Sequence, residues 1–209
     1  ASGESALLVA TLGGHDTTVQ ALLDAGVPPD AADGGGWSPL LRAAQRGYDA
    51  IVVQLLEARA ALETTTARDG LRALHLACRD GHAAVVRHLL AAGADAGAAD
   101  RHGKSVLFYA CTSGQEAITR LLLRAAASVN AVSSAGVTPL HVASAGGHVG
   151  VISLLLQAHA LADASASDRS TALSRAVDAA EPGAVRRLLQ ARRTPLGEAD
   201  AAAGLLHAI

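Results

Sequence analysis

The chain has 209 residues, half of them hydrophobic yet only 2% aromatic, with 17 basic residues, 19 acidic residues and a net charge of −2. That balance argues against a nucleic-acid binder, which needs a concentrated basic face to neutralise phosphates. No apolar run approaches the roughly 18 residues of a membrane span, no basic and apolar leader opens the chain, and two cysteines cannot build a disulfide framework.

In chain order the apolar residues form a ladder. The first unit, 1–32, acts as an N-terminal cap and carries SALLVA (5–10) around Leu7, then Gly14, the pair Leu22/Leu23 and Gly26. The second, 33–66, has SPLLRAA around Leu40, then Gly47 and Leu55/Leu56. The third, 67–99, has RALHLAC around Leu74, then Gly81, Leu89/Leu90 and Gly93. The fourth, 100–132, has SVLFYAC around Leu107, then Gly114 and Leu122/Leu123. The fifth, 133–165, has TPLHVAS around Leu140, then Gly147 and Leu155/Leu156. The sixth, 166–198, has TALSRAV around Leu173, Ala180 in place of the glycine, and Leu188/Leu189. The central leucines are spaced 33, 34, 33, 33 and 33 residues apart. Residues 199–209 read as a truncated or capping half-repeat. The alanine N-terminus leads us to expect an excised or processed segment.

Each unit predicts two short helices. Ser38 or Thr138 caps the first, and Pro39 or Pro139 sits in its first turn, where no N–H donor is needed. Small residues three after each central leucine, from Ala10 to Ala176, let neighbouring helices approach closely. A glycine then permits a left-handed turn. The second helix carries an apolar stripe such as Ile51/Val52/Leu55/Leu56 at helical spacing. One helix pair cannot bury that stripe alone, so copies must stack.

The segments GLRALHLACRDGHAAVVRHLLAAGAD (70–95) and GVTPLHVASAGGHVGVISLLLQ (136–157) resemble the ankyrin repeat, with its Thr-Pro-Leu-His, Gly-His and Leu-Leu-x-x-Gly-Ala signatures. The resemblance covers nearly the whole chain. It implies an all-α ankyrin-repeat solenoid of stacked helix–turn–helix pairs with loop or β-hairpin tips. Departures fall at the glycine after the second helix, replaced by Arg59, Ala126, His159 and Arg192. Those turns either carry a penalty of roughly 1 kcal/mol or take another shape. In the sixth unit Arg169 replaces the loop glycine and Pro182 enters the second helix, so the C-terminal end is expected to fray first.

Catalytic patterns are weak. Gly97 to Lys104-Ser105 places five residues between glycines where a phosphate loop needs four. Among nine histidines, the resemblance gives His75 and His141 a local bond to a helix start and makes His15, His82 and His148 structural. Cys78 and Cys111 share one slot in adjacent units, where stacking keeps them too far apart for a disulfide. The expectation is no enzyme, no cofactor, no metal and no small-molecule substrate.

The resemblance further implies that tips and first helices line a concave groove that holds a partner protein or peptide. By slot, the tips offer Trp37, Arg68, Asp69, Leu71, Arg101, His102 and Lys104. The ends of the first helices offer Gln45, Arg46, Arg79, Asp80, Thr112 and Ser113, and Tyr48 extends the aromatic surface. Trp37 either anchors a partner or folds down over Gly34–Gly36. The Arg/Asp mixture is either an interface or a solvated surface with internal ion pairs. The functional expectation is a non-catalytic protein-interaction module, monomeric on its own and cytoplasmic. The alternatives are the substrate-recognition part of a ubiquitin-ligase adaptor, or a regulatory segment of a larger enzyme or channel.

Overall fold

A computed structural model describes residues 5–193, so the half-repeat expected at 199–209 lies outside the described residues. The chain forms α1 (Ala6–Leu12), α2 (Asp16–Asp24), α3 (Pro39–Arg46), α4 (Asp49–Glu57), α5 (Ala73–Asp80) and α6 (Ala83–Ala91). It continues with α7 (Val106–Thr112), α8 (Glu116–Arg124), α9 (Pro139–Ala145), α10 (Val149–Gln157), α11 (Ala172–Asp178) and α12 (Pro182–Arg193). Among the described residues the only strand-like pairing is two isolated bridges at tips, Ala99 with Ser105 and Ser165 with Thr171. None of their helices is long and apolar enough to cross a membrane.

Local chemistry starts the first helices where the sequence places them. The side-chain oxygens of Ser5, Ser38, Ser105, Thr138 and Thr171 accept N–H bonds from the residue three further on, at 3.1–3.3 Å. Each satisfies a donor that the helix itself leaves free. Pro39, Pro139 and Pro182 all stand in a first helical turn, where a missing N–H does no harm.

The helices pack in two rows. The odd-numbered helices touch in series from α1 to α11, and the even-numbered ones in series from α2 to α12. Ala43, Ala77, Ala110, Ala143 and Ala176 are fully buried between neighbouring first helices. Leu55, Leu89, Leu122, Leu155 and Leu188 point inward from the second helices. Together with Leu40, Leu74, Leu107 and Leu140 they belong to one cluster running the length of the described chain. Each buried leucine contributes about 2 kcal/mol, so the row is held by many equal increments and no single large aromatic.

The turns settle which of the two expected shapes was taken. Arg59, Ala126 and His159 have φ of 60–63°, the left-handed shape that Gly26 and Gly93 adopt elsewhere. These three residues therefore carry the steric penalty of a Cβ in that region and keep the turn. Arg192 differs from them because α12 runs through it to Arg193. At the tips Arg169 has φ of 64°, matching the loop glycines.

Candidate partner-binding face

The tips are tied together by backbone. The N–H of Ala67 donates to the Gly35 carbonyl, Arg101 to Asp69, Ser134 to His102 and Ser167 to Ala135, at 2.8–3.1 Å. A Cβ on Gly103 would come within 3.1 Å of the Ser134 nitrogen, so the close approach requires glycine there. Within a tip, Asp33 Oδ1 accepts the N–H of Gly35 and Trp37, and Asp100 Oδ1 accepts those of His102 and Lys104. Ser133 does the same with its hydroxyl. Side chains in the row thus stand on a framework in which backbone bonds join each tip to the next.

The residues expected at this face fall into three groups. Arg46, Arg68, Asp80, Arg101, His102, Thr112 and Ser113 are exposed. Asp69, Arg79 and Lys104 are half-buried and reach the surface. Arg79 is held by Asp80 through two bonds of 3.0 and 2.9 Å, and Ser113 donates to the Arg79 carbonyl at 3.0 Å. Thr112 turns its hydroxyl back to the Phe108 carbonyl. The Lys104 ammonium lies 5.6 Å from the Phe108 ring centre.

The remaining four look inward to different degrees. Leu71 is only 5% exposed, packs in the core cluster and donates its N–H to the Thr66 hydroxyl, so it is a packing residue with almost no surface at the face. The slot after the loop glycine leans under the tip, and a leucine there completes the core. Trp37 is half-buried and folded down on Gly35, with the Arg42 guanidinium 4.0 Å over its ring. Tyr48 packs its ring over Gly14 of the first unit. Gln45 is half-buried and its carbonyl receives His82 Nε2 at 3.0 Å. His148 makes the matching bond to the Thr112 carbonyl.

Sequence reasoning missed the side chains two after the central leucine. Arg42 pairs with Asp33 at 3.1 Å, Arg175 pairs with Asp168 at 3.2 Å, and the Tyr109 hydroxyl donates to Asp100 at 2.7 Å. The signal was present in the nine-residue offset shared by Asp33/Arg42 and Asp100/Tyr109. Burial would raise the Asp33 carboxyl, but the Trp37 N–H, the Arg42 guanidinium and the Gly35 N–H together hold it below its ordinary value. Burial, followed by the bond to Asp100, pushes the Tyr109 phenol up, so it remains a donor.

The histidines and cysteines are built into the packing. His141 Nδ1 sits 2.7 Å from the Thr138 hydroxyl and its Nε2 donates to the Ser170 carbonyl at 3.2 Å. His75 Nδ1 accepts the Arg72 N–H at 3.3 Å, and the Tyr109 ring meets His75 edge-on at 5.7 Å. Burial pushes the Cys111 thiol up to about 12 and raises Cys78 as well, which keeps both protonated and unreactive. Both thiols are free. Among the described residues no group of three His, Cys, Asp or Glu side chains converges to hold a metal.

Sequence models of one family match along this ladder: ankyrin repeats in many copies over 2–57, ankyrin repeats in three copies over 43–133, and a single ankyrin repeat over 135–169. With the two-row stack and its bonded tips, they show that the chain belongs to the ankyrin-repeat family. Ankyrin repeats are generally protein–protein interaction modules, and proteins built from them are typically non-catalytic. A comparison with curated proteins gives no match.

Proposed function

We propose that the chain is a non-catalytic module that binds a partner protein or peptide along a groove formed by the tips and first helices of the second to fourth repeats. The observation that carries this reading is the bonded row of tips. It presents Arg68, Asp69, Arg101 and His102 on backbone bonded from tip to tip, and Arg101 adds a side-chain bond to the Arg68 carbonyl. Preorganised side chains lose little entropy on binding. Trp37 and its covering Arg42 extend the row at one end, and Trp and Arg are favoured anchors in interfaces. The ligand is a protein surface, with neither nucleic acid, membrane nor small substrate expected, and the chain acts as a monomer. Two buried free thiols suit a reducing compartment, and we place the module in the cytoplasm.

The test is capture of partners from cell lysate with the wild-type chain beside a Trp37→Ala/Arg79→Glu variant that retains its helical circular dichroism. A specific partner should be held by the wild type and lost by the variant. For that partner Trp37→Ala alone should weaken binding by about 2 kcal/mol. Equal capture by both proteins would move the site off this face.

A further inference from the structure

Charges on the proposed face are unevenly matched. Arg42 is paired with Asp33, Arg72 with Glu63 and Arg79 with Asp80. Asp100 is occupied by two backbone N–H groups and by Tyr109. What remains at the tips of the third and fourth repeats is Arg68, Arg101 and Lys104, none of which has a carboxylate partner among the described residues, with His102 between them. Asp69 is the nearby carboxylate outside these pairs, and its charge acts on Arg79 and Tyr109. Arg101 spans both tips: its Cγ lies 2.8 Å from where a Cβ on Gly70 would be, and its Nη1 donates to the Arg68 carbonyl at 3.2 Å. Lys104 is steadied over Phe108. A chain of net charge −2 thus carries, on two adjacent tips joined by backbone, three cations without carboxylate partners against the one such carboxylate, Asp69.

We propose that this strip receives an acidic segment of the partner, its carboxylates meeting Arg68, Arg101 and Lys104. The assignment rests on the tip-face reading above and adds the chemistry of what binds there. Guanidinium forks donate two parallel N–H bonds to a carboxylate, and exposed charge of one sign speeds encounter with the opposite sign. The next tip changes character, with Ser134, Ala135 and Val137 in place of charged residues, so the acidic stretch is confined to the third and fourth repeats.

A random-peptide display library selected on the wild-type chain tests this. The peptides should be enriched in Asp and Glu, and should bind an Arg68→Glu/Arg101→Glu/Lys104→Glu variant at least about tenfold more weakly. Their affinity should also fall as NaCl rises from about 0.05 to about 0.3 M, where the screening length shortens. A milder Arg68→Ser/Arg101→Ser/Lys104→Ser variant, matched to wild type in its thermal melt, should show the same loss and so separates charge from folding. Peptides without acidic enrichment that still bind the variants more weakly would overturn the acidic assignment and leave the face standing, whereas equal affinity for all three proteins would overturn both. Selection of no peptide at all would count against both.

Discussion

A histidine inside a thin apolar core is held neutral, and His75 shows the consequence. Burial pulls its pKa down to about 4; the Asp100 carboxylate opposes this and the Arg72 guanidinium adds to it. Above about pH 6.5 neither the folded nor the unfolded chain protonates this ring, and its full contribution to stability is present. Between about 6.5 and 4 the unfolded chain takes up a proton that the folded chain refuses, so stability falls with pH, by up to about 3 kcal/mol. Urea unfolding of the wild type at pH 7 and pH 4.5 should show that loss, and His75→Asn should flatten it. His141, lowered in the same direction, keeps a residual slope in the variant. Identical slopes in the two proteins would remove His75 from the account. The local bonding of His75 and His141 was legible in the sequence through their slot. The burial of Leu71 was not, because the slot after the loop glycine is filled by Trp37, Lys104 and Val137 elsewhere, and only packing shows that it leans inward.

At the scale of one helix pair, caps, prolines and small residues agree with one another. Ser38 and Thr138 accept the N–H bonds that their positions suggest, and Pro182 opens α12. Where the sequence left two outcomes open, at the turn after the second helix, the chain takes the strained one. A left-handed turn persists with Arg59, Ala126 and His159, and the chain just beyond each turn is tied to a neighbouring repeat. Asp30 accepts the Ala61 N–H and Asn130 the Leu161 N–H, at 2.7 and 2.9 Å. Relieving the strain should therefore stabilise the chain. Ala126→Gly removes a single exposed methyl and should raise stability by about 0.5–1 kcal/mol, after the extra flexibility of glycine in the unfolded chain is subtracted. Denaturant midpoints with unchanged slopes measure this. A lower midpoint for the variant would mean that the Ala126 turn is not strained.

For the whole molecule, the 33-residue spacing already dictated a row, since no unit can bury its apolar stripe alone. How the outer face divides its charges was written in the sequence only as the nine-residue offset of Asp33/Arg42 and Asp100/Tyr109. The Asp33–Arg42 and Asp100–Tyr109 contacts join a tip to its own first helix, and they take acids that composition counts as free. What they leave is a cationic pair of tips on a near-neutral chain, carried by a backbone ladder from Gly35 to Ser167. Hydrogen exchange of the chain with and without its captured partner tests the central claim, that binding occurs on this row. Slowed exchange at 66–72 and 99–105, with α6 and α8 unchanged, is the predicted result. Protection confined to the second helices would contradict it.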